Sequence, residues 1–509
     1  MSAYLIGTDI GTTSTKTVLI NQNGKLISSA TKDYPMDVPK AGWAEQNPKD
    51  WYDATIKTIR QVIEDSKINP TDIKAIGLSG QMHGSVFLDE NNEVIRPAIL
   101  WCDQRTGKQC QEIYDIFGFR EFVRLSHNQA LPGFTAPKIL WLKENEPENY
   151  KKVTKILLPK DYVRYKLSGV FATEVSDAAG TILLDIAKRD WSREILGGLK
   201  IKPDLLPPVH ESPEITSKVN KKAAKLTGLK EGTPIAGGGS DNAAGAVGSG
   251  IIREGLISDS IGTSGVVFAT SNKPVYDPEG RIHAFCHAIP GKWHFTGVTL
   301  SAAGSLKWYY EAFGPSKEIA NKYPDKKGYE LLNKQAEKLK PGSEGLIFLP
   351  YLSGERTPHG DPYARGIFFG LSYVHGQDHF IRAVMEGVSF SQLDCLALIR
   401  AQNISSDKVV MFGGGAKSKI WRQILADILN TKIVTINIGE GPAYGAALIA
   451  GAGSGVFASI EEACDKTIKE VSENNPIAEN VAKYKKIYPI YRSLYDDLKE
   501  EYKKLEKID

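Results

Sequence analysis

The chain has 509 residues, too many for one hydrophobic core, so roughly two to four domains are expected. Its 63 basic and 60 acidic side chains leave a net charge of +3, which supplies no field for nucleic acid or a membrane surface. No apolar run reaches the ~20 residues of a membrane span, MSAYLIGTDIG is not read as a secretory signal, and five cysteines without a CxxC pair suit a reducing, cytoplasmic home.

The opening YLIGTDIGTTSTKTVLINQNGKLISSA predicts two strands around a polar tip, Gly11 to Ser14. Asn23-Gly24 is the residue pair of a type I′ turn and predicts a third strand over KLISSA. Glycine lets a backbone approach an anion, and the hydroxyls and free amides of Thr12, Thr13 and Ser14 can donate to it, with Lys16 just beyond. Asp9, at the end of the first strand, is the hard oxygen ligand that Mg²⁺ prefers. A helix is read over WYDATIKTIRQVIEDS, residues 51–66.

The apolar run IKAIGLSG then delivers Gln81, Met82 and His83 between Gly80 and Gly84. Such a trio is a poor core segment and suits the wall of a site for a small polar ligand, with Gly84 keeping the backbone close to it. Further on, AGGGSDNAAGAVGSG (236–250) is read as the join between two halves, 1–247 and 248–509. Asp241 within it stands at a helix start, either as an N-cap or as a cleft carboxylate.

From residue 256 the opening pattern returns as GLISDSIGTSGVVFATS, so Gly262 and Thr263 echo Gly11 and Thr12. Two such tips facing each other could clasp a polyphosphate. Ser260 stands where Asp9 stands in the first copy, so only one tip would carry metal. HAFCH gathers His283, Cys286 and His287 but lacks a second ligand pair, and is read as structural. KVVMFGGGAKSKIWRQILADILN predicts a strand, a turn at Gly413 to Gly415, and a helix burying Trp421, Ile424, Leu425, Ile428 and Leu429. The turn is either a tight connection or a glycine shelf for a nucleotide. Helices are also read over FIRAVMEGVSFSQLDCLALIRA (380–401) and the C-terminal YPIYRSLYDDLKEEYKKLEKID, the latter docking through Ile490, Leu494, Leu498 and Leu505. Neither a P-loop nor a complete Rossmann fingerprint is found.

With these residues in view, the chain resembles the FGGY carbohydrate kinases over nearly its whole length. GFTAPKILWLKEN (133–145), with Lys138 and Trp141, matches the first family signature, and GIFFGLSYVHGQDHFIRAVME (366–386) matches the second. The resemblance implies an α/β fold class, two actin-like (ribonuclease-H-like) domains around a deep interdomain cleft. The first half would bind sugar; the second would bind nucleotide and end in a helix. It implies Asp9 near Mg²⁺, and Thr12, Thr13, Ser14, Lys16, Gly262 and Thr263 at the phosphates of ATP. Gly304 of SAAGSLKW, Gly414 and Gly415 would line the adenosine side. Asp241 would be the catalytic base and Asn242 its neighbour at the sugar. Met82-His83 stands where glycerol-phosphorylating relatives carry Arg-Glu, and Arg105 of WCDQR is a further sugar candidate. The pair is that of the D-xylulose-phosphorylating members, so the resemblance implies D-xylulose, ATP and Mg²⁺ as ligands, and a homodimer as in bacterial members. Two alternatives stay open: a kinase of ribulose, L-xylulose or gluconate, and a non-enzymatic ATP switch of the actin and chaperone type.

Overall fold

The computed structural model describes residues 3–313, 326–439, 441–506 and 508. In the first half, β1 (Tyr4–Ile10), β2 (Ser14–Asn21) and β3 (Leu26–Asp33) form an antiparallel meander. The β2–β3 connection is not a type I′ turn. Only Gly24 takes a positive φ, 75°, and the Asn21 amide bonds Lys25 O at 3.1 Å. This is the three-residue loop with a glycine bulge. The Asn21 side chain selects it by accepting from the amides of Asn23 and Lys25.

Helix α1 (Pro48–Ser66) is capped by Asn47 and buries Trp51, Thr55, Ile59 and Val62, one helical face. Strand β4 (Ile73–Gly80) runs parallel to β1 and pairs Asp9 with Ser79. After α2 (Thr135–Asn145), strands β5 (Ile215–Lys218), β6 (Pro234–Ala236) and β7 (Gly239–Ser240) complete a seven-stranded sheet. Its order is β5-β6-β4-β1-β2-β3, with β7 beside β4, and α3 (Asp241–Gly248) leaves it.

The second half repeats the plan. Strands β8 (Ile257–Ile261), β9 (Gly265–Ser271), β10 (His283–Cys286), β11 (Trp293–Thr299), β12 (Lys408–Phe412), β13 (Lys432–Ile436) and β14 (Glu470–Asn474) are ordered β10-β11-β9-β8-β12-β13-β14. Strands β8, β9 and β12 take the places of β1, β2 and β4, so the two tips fall at equivalent turns. Among the helices of this half of the chain are α4 (Ala303–Phe313), α5 (Gln377–Arg400), α6 (Lys419–Leu429), α7 (Gly441–Gly453) and α8 (Ala478–Glu506). α8 docks as expected, but through Tyr484, Tyr491, Leu494 and Tyr502; Ile490 and Leu505 are 47% and 55% exposed. Tyrosine can bury its ring and still satisfy its hydroxyl, as Tyr484 does on Glu386 at 2.7 Å. None of the helices among the described residues is long and apolar enough to cross a membrane.

The halves exchange helices. α7 leaves the second sheet but lies on the first, where a Cβ on Gly7 would stand 1.9 Å from Ala443 O and one on Gly77 1.9 Å from Ala446 O. α3 leaves the first sheet and packs its Ala246 with Phe268, Val410 and Val434 of the second. The two helices cross where a Cβ on Gly445 would meet Ala244 O at 1.8 Å. The small-residue run 236–250 is therefore a strand end and a close-packed helix, not a slack linker.

Candidate active site

Each tip is closed by one backbone bond, Gly11 N to Ser14 O and Gly262 N to Ser264 O, both 3.0 Å, and the second tip is one residue shorter than the first. Their carbonyls are anchored from behind. Tyr34 Oη donates to Gly11 O at 2.6 Å and Gln46 Nε2 to Thr12 O at 2.6 Å. At the second tip the amides of Ala302 and Gly304 donate to Thr263 O at 2.8 and 3.1 Å. Gly304 itself is obligatory there, since a Cβ would stand 2.8 Å from that oxygen. The amides of Thr12, Thr13 and Thr263 find no acceptor among the described residues, and such free donors are what phosphate oxygens need.

Asp9, next to last in β1, lies opposite Lys16 of β2, and its Oδ1 is buried without a hydrogen bond. Burial pushes the carboxyl up to about 6, against the pull of the Ser79 hydroxyl and the Lys16 ammonium. Asp241 is the first residue of α3, next to the strand end that sets it. Burial first, and the Asp9 charge second, push Asp241 up to about 7, while the Asn242 amide at 2.7 Å pulls it down. Two raised carboxyls that feel each other are relieved by a cation between them. One or two carboxylates completed by phosphate oxygens is the donor set of Mg²⁺, so Asp9, with its orphaned oxygen, fits that ion. Ser240, not Asp241, caps α3, its hydroxyl accepting from the Ala243 amide.

Met82, His83 and Asn242 form one wall beside Asp241, tied by Asn242 Nδ2 to Met82 Sδ at 3.4 Å. Burial holds the His83 imidazole well below its ordinary value, so the ring is neutral. Gly180 O, 2.6 Å from Nδ1, can only accept, which fixes the proton on Nδ1 and leaves Nε2 a free acceptor. A Cβ on Gly180 would stand 2.9 Å from the His83 ring, so glycine is required beneath the wall. Gly84 has another reason than the one expected: a Cβ there would meet Pro159 Cγ at 2.5 Å. Arg105 also lies elsewhere than expected. Its guanidinium is spent on Asp103 at 2.7 Å and Glu45 at 2.7 Å, over the Trp43 ring at 3.5 Å, so it is not carried forward as a sugar ligand.

A cleft of about 810 Å³ runs from Asp241 and Asn242 past Ser260 to Gly413, Gly414 and Lys417. Gly413 turns the chain with φ 84°. Gly414 is open to the cleft, whereas Gly415 is closed against Ile261, 2.7 Å from where its Cβ would be. The arrangement can seat a long anionic ligand whose phosphate end reaches the two carboxyls.

Residues 4–248 match the N-terminal domain model of the FGGY family of carbohydrate kinases, and residues 258–454 match the C-terminal domain model. The chain belongs to the FGGY family of carbohydrate kinases. A xylulose kinase of Bacillus subtilis is 42% identical to it over 98% of this chain and 97% of its own. One of Lactococcus lactis is 42% identical, again over 98% and 97%. A solved xylulose kinase structure from Lactobacillus acidophilus shares the fold at a TM-score of 0.92 and 29% identity, covering 99% of this chain and 100% of that one. The two-domain actin-like architecture is thus that of FGGY kinases.

In this FGGY chain the first signature segment forms α2, and its Lys138, fully buried, donates to His83 O at 2.9 Å beside the Thr135 hydroxyl at 3.1 Å. A second buried device was not foreseen. Lys160 bridges Asp161, Asp177 and Glu174 at 2.8, 3.1 and 3.4 Å. Glu174 accepts from the Ser176 hydroxyl, which in turn accepts from the Ser240 amide at 2.9 Å, directly before Asp241. Charged residues inside apolar runs, PKDYVRY and TEVSDAAG, were the available signal.

Proposed function

We propose that the protein is an ATP:D-xylulose 5-phosphotransferase, giving D-xylulose 5-phosphate and ADP. The observation that carries this reading is the meeting of Asp241 with the Met82-His83 wall through Asn242, in a chain 42% identical to xylulose kinases of two organisms. We take the halves to divide at 247/248, the first holding sugar and the second nucleotide.

The free amides of Thr12, Thr13 and Thr263 would receive the phosphates, and Gly414 the adenosine side. Asp9 would hold Mg²⁺, which when bound supplies charge neutralisation to the phosphates. His83 Nε2 accepts from a sugar hydroxyl. Asp241 takes the proton of the terminal hydroxyl as that oxygen attacks the γ-phosphorus and the bond to ADP breaks. Such transfer relies on positioning more than on basicity, which suits a carboxyl raised to about 7. The test is ADP release on a panel of D-xylulose, D-ribulose, L-xylulose, gluconate and no sugar. Preference for gluconate or ribulose, or sugar-independent turnover, would overturn the assignment.

A further inference from the structure

The donors on the sugar wall are largely spent. Trp101 Nε1 donates to Thr12 Oγ1 at 2.9 Å, and Asn242 Nδ2 to Met82 Sδ. His83 Nε2 accepts, as does Asp241 in its ionised form. A ketose carbonyl accepts too, and the wall offers it only the second hydrogen of Asn242 Nδ2 and no charged donor.

The second half supplies one. The loop after Ser353 is pinned to the end of β11. Glu355 accepts from the Thr299 hydroxyl at 2.5 Å and the Leu300 amide at 3.1 Å; Thr357 donates its amide to Val298 O at 2.9 Å and its hydroxyl to Arg281 O at 3.1 Å. This holds the loop beside the turn that buttresses the second tip. Across from it, the Phe134 ring bridges His83 of the first half, 4.5 Å away, and His283 of β10, 5.6 Å away. Between Glu355 and Thr357 stands Arg356. Every neighbour is tied, yet its guanidinium has no hydrogen bond or ion pair among the described residues, and the side chain is only partly exposed. Burial lowers both His83 and His283, and the Arg356 charge adds to that lowering. A guanidinium withdrawn from water without a partner is costly unless a ligand meets it.

We propose that Arg356 is the substrate-contacting donor of the second half, binding the keto and hydroxyl oxygens at the end of the sugar remote from Asp241. The proposal rests on the sugar-kinase reading above. It makes the sugar a bridge between halves: His83 accepts from one hydroxyl while Arg356 donates to the carbonyl side, so occupancy favours closure.

Steady-state kinetics of Arg356→Ala and Arg356→Lys test it. Arg356→Ala should raise the D-xylulose KM by about tenfold or more, the usual scale for a lost charged hydrogen bond, and move the ATP KM by less than about twofold. Arg356→Lys should fall between, because it keeps charge but loses the fork. The inhibition constant of xylitol, which lacks the carbonyl, should change less than the D-xylulose KM. Thermal melting should not fall, since an unpaired charge is removed. An unchanged sugar KM, with lowered kcat, raised ATP KM or lost melting temperature, overturns the proposal in favour of a phosphate or scaffold role. Wild-type inactivity on D-xylulose would instead overturn the functional reading, and the same KM comparison on whichever sugar is turned over still decides Arg356.

Discussion

The buried ammonium of Lys138 donates to His83 O across 2.9 Å, and His83 is held there at a left-handed φ of 67°. A non-glycine residue in that region costs about 1–3 kcal/mol, and the clamp offsets it. Lys138→Met should therefore let the His83 wall relax, raising the sugar KM roughly tenfold with the ATP KM unmoved. Burial pulls this lysine down to about 7, and the unfolded chain holds the proton more tightly, up to about 10.4. Between those values stability rises with pH. Melting curves at pH 7 and 9 should show the wild type gaining on Lys138→Met; parallel curves would place the proton elsewhere.

Asp241→Asn should lower kcat by roughly 10²–10⁴, the worth of a positioned base. Because Ser240 provides the cap, Asp241→Ala should melt with the wild type. A base acts in its ionised form, so with Asp241 in that role kcat/KM should climb with pH through about 7. Asp9→Asn removes the neighbouring charge, and the acidic limb of its residual activity should shift to lower pH. A limb that stays fixed would detach Asp9 from Asp241.

Asp259, fully buried in β8, has no hydrogen bond on either oxygen, and burial pushes it up to about 8. The folded state binds this proton more tightly than the unfolded chain, so stability falls as pH rises from about 4 toward 8, by up to about 1.4 kcal/mol per pH unit. Asp259→Asn should abolish that loss. Its advantage in melting temperature should be larger at pH 8 than at pH 5, with kcat changed little. An equal offset at both values would mean the carboxyl is ionised or solvated in the fold.

Gly77→Ala places a methyl 1.9 Å from Ala446 O, a backbone atom that cannot give way. It should lower stability by about 3 kcal/mol or more and shift the denaturant midpoint accordingly. A midpoint within error of the wild type would show that α7 can move off the first sheet at little cost.

The parts legible in sequence were those governed by local rules. Glycine-threonine tips, the strand before Gln81 and the inward face of α6 follow from periodicity and turn chemistry, and the repeat of Ile10–Ser14 at Ile261–Ser264 foretold two like sheets. What escaped depends on distant partners. Asp241 was legible only as a residue at a helix start; that burial and Asp9, far apart in sequence, raise its carboxyl was not. Arg105 was read as a sugar ligand because nothing local shows that Glu45 and Asp103 consume its guanidinium. Arg356 drew no notice, since a lone arginine in a loop looks like solvent-facing charge until its pinned neighbours are seen.

The exchange of α3 and α7 also bears on how the protein is made. The face of the first sheet around Gly7 and Gly77 is covered by residues 441–453, which leave the ribosome when most of the chain is already outside. Until then β1 and β4 carry an uncovered apolar surface that includes Leu5 and Ala75. Contacts so distant along the chain make their formation slow and the waiting state prone to aggregation. Release of a chain stopped before α7 would therefore yield not a functional first half but a sticky fragment, and the completed molecule should unfold as one cooperative unit.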